Sequence, residues 1–132
     1  MGLFDRFRKP TVTPTERVII PNKAVRASQL MQLEGAVLDV LAEMDKLPAR
    51  LNPRWQAQEQ EFSRVVSASR DLRAGDYDWQ QLMDVAFEVR PVVKGTAVPE
   101  GMDHLVELQD RMMAIATALT TPRDDEVQVI ES

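Results

Sequence analysis

The sequence predicts an all-α protein, an irregular four-helix bundle with three long helices and one short one, an extended N-terminal arm and an acidic C-terminal tail. Three observations carry that expectation. Apolar residues recur at alternating spacings of three and four over two long stretches, prolines and caps divide the chain at helix-length intervals, and 44% hydrophobic residues in 132 is enough for one packed core without staples. The layout reads as a basic arm and linker over residues 1–23, a helical body over 24–121 and a flexible acidic tail over 122–132.

The first segment, Met1 to Lys9, sets Leu3, Phe4 and Phe7 at helical spacing with Arg6, Arg8 and Lys9 around the turn, and Pro10 stops it. From Thr11 to Lys23, two prolines, three threonines and the β-branched run Val18-Ile19-Ile20 predict an extended linker or edge strand. Helix A follows from Ala24. Its seam is Leu30, Leu33, Val37, Val40, Met44 and Leu47, broadened by Leu38 and Leu41, and Pro48 ends it. Asn52 as N-cap with Pro53 at the first helical position opens helix B, which runs to about Ala74. Its apolar positions are Trp55, Phe62, Val65, Val66, Ser69 and Leu72, and Gly75 is expected to close it in the left-handed conformation.

Asp78 with Gln81 three residues on has the form of a capping box. It starts the short helix C, in which Trp79, Leu82, Met83, Ala86 and Val89 share a face before Pro91. Helices B and C are expected to form a tight antiparallel pair. The connection from Pro91 to Glu100 is apolar enough to pack over an end of the helical body. Helix D carries Met102, Leu105, Leu108, Met112, Ile115 and Leu119, and Pro122 closes it. The tail holds Asp124, Asp125 and Glu126, then Val127-Gln128-Val129-Ile130. A short, terminal, charged segment is expected to stay flexible. The alternative is a two-stranded ribbon of Val127–Ile130 with Arg17–Ile20, which would need the helices to lean on.

Composition narrows the function classes. Cysteine is absent, which excludes disulfides, thiolate nucleophiles, iron–sulfur clusters and thiolate zinc sites and suggests a reducing compartment. With no apolar leader and no membrane-length run, a cytoplasmic protein is expected, held if at all at the inner face of the membrane. Residues 1–26 carry Arg6, Arg8, Lys9, Arg17, Lys23 and Arg26 against Asp5 and Glu16, a net of +4, while the remainder carries −9. An acidic body in which lysine and arginine are interleaved with carboxylates argues against nucleic-acid binding and leaves the arm as the part that seeks an anionic partner.

Catalytic constellations are sparse. His104 is the single histidine, so neither a two-histidine zinc helix nor a paired di-iron motif can be built from one chain. No glycine spacing matches a phosphate loop. Asp76 and Asp78 read as competing N-caps. Glu100, Asp103, Glu107 and Asp110 form an acidic stripe on helix D that could hold a divalent cation or a basic partner, and that is equally the solvated face opposite Leu105, Leu108 and Met112. Of the seven methionines, Met31 and Met113 fall beside the seams, where a partly exposed patch can form.

Met1 to Phe7 resembles the start of the phage-shock protein A family, whose members open with an amphipathic membrane helix. Here Pro10 interrupts what that family continues as one long helix. Glu16-Arg17-Val18-Ile19-Ile20, with Leu30-Met31-Gln32-Leu33-Glu34 and Val37-Leu38-Asp39-Val40-Leu41, is similar to the middle of the division-site MinE family, with a gap between the parts. Pro53 to Pro122 lies outside that resemblance.

The expected function is therefore non-catalytic and without cofactor or metal. It is that of a bacterial-like interaction, regulatory or adaptor protein with a protein partner, making peripheral contact with an anionic membrane through Leu3, Phe4, Arg6, Phe7, Arg8 and Lys9. The alternative is a structural homo-oligomer, a dimer above all, in which the broad apolar faces of helices A and D continue across a two-fold interface. A carboxylate and metal enzyme stands third.

Overall fold

The computed structural model describes residues 15–131. In chain order these form strand β1 (Thr15–Ile19), helix α1 (Lys23–Asp45), a 3-10 turn (Pro48–Leu51), helices α2 (Pro53–Ala74), α3 (Trp79–Phe87) and α4 (Asp103–Thr120), a second 3-10 turn (Asp124–Glu126) and strand β2 (Val127–Glu131). The chain is mostly helical, as its periodicity predicts.

Local chemistry sets the helix bounds. The Asn22 side chain accepts from the Val25 amide to cap α1, and Asn52 accepts from the Arg54 amide ahead of Pro53. The Asp78–Gln81 capping box is complete in both directions, which holds a helix of nine residues that is too short to persist alone. Gly75 departs from expectation. It caps α2 in an extended conformation (φ −130°, ψ −156°), so no left-handed residue is needed there. The left-handed glycine that matters is Gly101, at φ +80° in the turn closed by the Met102 amide on the Pro99 carbonyl, a position where a side chain would be strained. No side chain caps α4; Asp103 in its first turn places a negative charge at the positive end of the helix dipole.

Helix α1 packs against both α2 and α4, and α3 lies chiefly against α4. The expected tight pairing of α2 with α3 is thus replaced, because α3 aims Leu82, Met83, Val85 and Ala86 into the core that α4 completes. Leu30, Leu33, Val37, Val40 and Met44 of α1 meet Phe62, Val65 and Val66 of α2 and Leu105, Met112, Ala116 and Leu119 of α4. Each large side chain of this set withdraws from water for about 1.5–3 kcal/mol. The buried phase of α4 is Leu105, Gln109, Met112, Ala116 and Leu119, so Leu108 and Ile115 sit at its margin.

The connection before α4 packs down only at its start, and residues 94–100 are all exposed, Val98 included. Val92 and Val93 are half-buried, and buried Gln109 pins them: its Oε1 accepts from the Val92 and Val93 amides at 2.7 and 2.8 Å, and its Nε2 donates to the Val93 carbonyl at 2.9 Å.

The acidic tail is the main correction. Instead of waving free, it makes a 3-10 turn and then pairs antiparallel with β1, Arg17 opposite Val129, Val18 opposite Gln128 and Ile19 opposite Val127. The Ile20 amide extends the ladder to the Glu126 carbonyl at 2.9 Å. The physical reason lies at the ribbon's base, where Glu126 is wholly buried.

Candidate interaction surfaces and the clamp that positions them

Arg26 is the sixth cation of the basic N-terminal stretch in the sequence, yet it is 0% exposed in the structure. It occupies the core phase of α1, one turn before Leu30, and its guanidinium is satisfied on all sides. Nε donates to Glu126 Oε2 at 2.8 Å, and Nη2 pairs with Glu126 Oε1 and donates to the Thr121 carbonyl at 2.8 Å. Nη1 donates to Gln29 Oε1 at 2.8 Å and to the Ala118 carbonyl at 3.1 Å. The Ala118 carbonyl, in the last turn of α4, also accepts from the Thr121 amide at 3.2 Å, and the Thr121 carbonyl is that of the C-cap residue, so Arg26 supports the C-terminal end of α4 while it holds the tail. The ring of Trp79 lies 5.3 Å from its Cζ and adds a cation–π contact.

Glu126 is matched in turn. Besides Arg26, it accepts from the Asn22 amide at 2.7 Å and the Arg123 amide at 2.8 Å. Burial alone raises its pKa, but the hydrogen bonds from Arg26 and the two amides outweigh that and hold the carboxyl below its ordinary range. The consequence is a neutral clamp. Arg26 offers nothing to an outside anion, and the cationic stretch expected to reach Arg26 stops short of it.

A second buried carboxylate ties α1 to α2. Glu34 accepts from Ser69 Oγ at 2.6 Å and from Arg73 Nε and Nη2 at 2.7 Å each, with Arg70 Nε at 3.6 Å. Burial pushes Glu34 up, and these donors pull it down further, leaving it lowered overall. Nearby, Lys23 pairs with Asp76 and lies 4.5 Å over the Tyr77 ring. Asp76 is therefore a partner for Lys23, and Asp78 alone caps α3. Burial pushes the Tyr77 phenol up, and its oxygen has no hydrogen-bond partner among the described residues.

The arm residues Leu3, Phe4, Arg6, Phe7, Arg8 and Lys9 lie outside the described residues. The acidic stripe does not converge. Glu100, Asp103, Glu107 and Asp110 are all exposed; Glu100 lies in the turn before α4, and the helical rise from Asp103 to Asp110 spreads the other three over about 10 Å. Glu107 faces exposed His104 at 3.5 Å. Among the described residues no three acidic or imidazole groups are placed to share a metal ion, and no helix is long and apolar enough to cross a membrane. The depressions on the body are shallow; an open groove of about 840 Å³ between α1 and α2 is lined by Leu41, Ala42 and Asp45 facing Gln56, Glu59 and Arg64.

What reading the sequence missed was the charged and polar interior: Arg26, Glu34, Gln109 and Glu126. Two of these carried a signal. Arg26 and Gln109 stand on the core phase of their helices, at the four-then-three spacing shared with Leu30 and Leu33 and with Leu105 and Met112. Glu126 carried none, because its partner is a hundred residues away.

Comparisons of the chain with protein-family models, with curated proteins and with solved structures found no match.

Proposed function

We propose that this chain is a non-catalytic interaction protein whose helices, read as an irregular four-helix bundle, form a rigid body for presenting the basic amphipathic segment at its N-terminus to an anionic membrane surface on the cytoplasmic side. In this reading Leu3, Phe4 and Phe7 enter the boundary between headgroups and acyl chains, and Arg6, Arg8 and Lys9 engage the headgroup charge.

The observation that supports it best is the clamp. Arg26 and Glu126 fix the base of the β1–β2 ribbon beside α1 and α4, so the described chain begins on a strand whose base is held to the helices. The acidic remainder of the chain favours the same orientation, since an anionic surface repels the body and attracts the arm.

Three apolar side chains at about 1.5–3 kcal/mol each, before ordering costs, give marginal attachment. Binding is therefore expected to need anionic lipid and to fall with salt. Co-sedimentation with vesicles containing phosphatidylglycerol, against vesicles of phosphatidylcholine alone, tests this with the full chain, with residues 1–10 deleted and with Leu3, Phe4 and Phe7 replaced by serine. Loss of binding in both variants supports the reading. Equal binding by the deletion variant overturns it.

A further inference from the structure

Helix α1 has two uncharged sides. One is the core phase already described, apart from its paired Arg26 and Glu34. The other, directly opposite at roughly 100° per residue, is Ala24, Ser28, Met31, Gly35, Leu38 and Ala42, all exposed, with Met31 at 58% and Leu38 at 44%. No charged residue interrupts this line, and its spacings alternate four and three, the seam by which one helix packs along another. The side of a helix that faces water ordinarily carries charged and polar residues. Here Ser28 is the single polar side chain of the six, and it is small enough to sit at a helix crossing. None of the described helices covers this side of α1.

We infer that this outer face of α1 is a dimerisation seam, and that its occupant is the same face of a second copy of this chain, running antiparallel about Gly35. The seam is self-complementary in that arrangement. Reversing it about Gly35 sets Ser28 against the partner's Ala42 and Met31 against the partner's Leu38, small residues facing small and large facing large, with glycine at the crossing where the backbones come closest. A two-fold interface requires this kind of match of a patch to itself. An added Cβ at Gly35 would meet nothing within 4 Å in the single chain, so its glycine answers to no neighbour in its own fold.

The flanking charges are compatible with this register. On one edge of the seam it brings Lys23, which also pairs with Asp76 of its own chain, within a turn of the partner's Asp45, and on the other it brings Gln32 beside the partner's Asp39, which lies 3.7 Å from Arg111 of its own chain. Lys23, Gln32, Asp39 and Asp45 are all exposed. A parallel arrangement would instead bring Asp45, which continues the spacing of the seam, beside its own copy, and like charges in register destabilise a helix pair. The inference stands apart from the membrane reading, although a dimer would carry two arms and so raise the effective strength of a weak contact.

Sedimentation velocity of the full-length chain at tens of micromolar is expected to show a dimer, and Leu38→Glu a monomer with helical content and unfolding midpoint retained, because Leu38 lies off the core. The absence of cysteine makes the register directly testable. Met31→Cys and Leu38→Cys chains, oxidised after mixing, are expected to yield a covalent heterodimer, and each alone is expected to yield none. A monomeric parent, a Leu38→Glu variant that stays dimeric, or self-cross-linking of either cysteine variant alone overturns the proposal.

Discussion

At the scale of the residue, two buried carboxylates decide how stability depends on pH. Glu34 and Glu126 both have folded pKa values held below the ordinary glutamate value of 4.5. A carboxyl whose pKa is depressed by folding contributes stability that is present above the unfolded value and is lost as pH falls through the folded one. Unfolding followed by circular dichroism from pH 7 downward is therefore expected to show a plateau to about pH 5, then a steady loss of stability at lower pH. Glu34→Gln should flatten part of that slope. Glu126→Ala is the harsher change, since it leaves Arg26 charged, buried and unpaired, and the expected loss is about 3–5 kcal/mol in urea titration. Adding Arg26→Met should recover only part of the loss, because Arg26 also donates to the Ala118 and Thr121 carbonyls at the end of α4.

At the scale of the element, the parts that the sequence made legible are those governed by neighbours in the chain. The caps Asn52 and Asp78 act on amides two or three residues away, and Pro53 and Pro122 bound helices by their own geometry, so most helix limits could be read within two or three residues; the cap Asn22 was not read. Gly75 misled because glycine permits the left-handed conformation without requiring it. The pairing of α3 with α4 was hidden for a different reason. A short helix can lie on either neighbour, and its own spacing does not say which. Gln109 pins the start of the connection that follows it. Gln109→Leu keeps the volume but leaves the Val92 and Val93 amides and the Val93 carbonyl without their partner, an expected cost of about 1–3 kcal/mol. Hydrogen exchange is the sharper readout: protection should fall across residues 91–101 and the C-terminal turn of α3 while α1 and α2 keep theirs.

At the scale of the whole molecule, the charge pattern misdirected the sequence reading most at the two ends, which looked like a free basic leader and a free acidic tail. Like charges collected at opposite termini resemble two solvated segments until the fold brings them together, and no local rule marks Arg26 and Glu126 as partners. That distinction predicts how truncation behaves. A two-stranded ribbon is marginal in water by itself, and Val18, Ile20 and Val129 remain exposed on this one. Its hydrogen-bonded ladder should therefore contribute little, and the carboxylate at its base should contribute most of the stability attributed to the tail. A chain ending after Glu126 is expected to unfold within about 1 kcal/mol of the full protein, because Glu126 keeps the Arg26 charge paired and the carbonyls at the end of α4 keep their donor. A chain ending after Arg123 removes only three more residues and is expected to lose about 3–5 kcal/mol more, the penalty of a stranded buried arginine. Should the two truncations prove equally stable, the clamp is not what joins the ends, and the ribbon must be held by its strands.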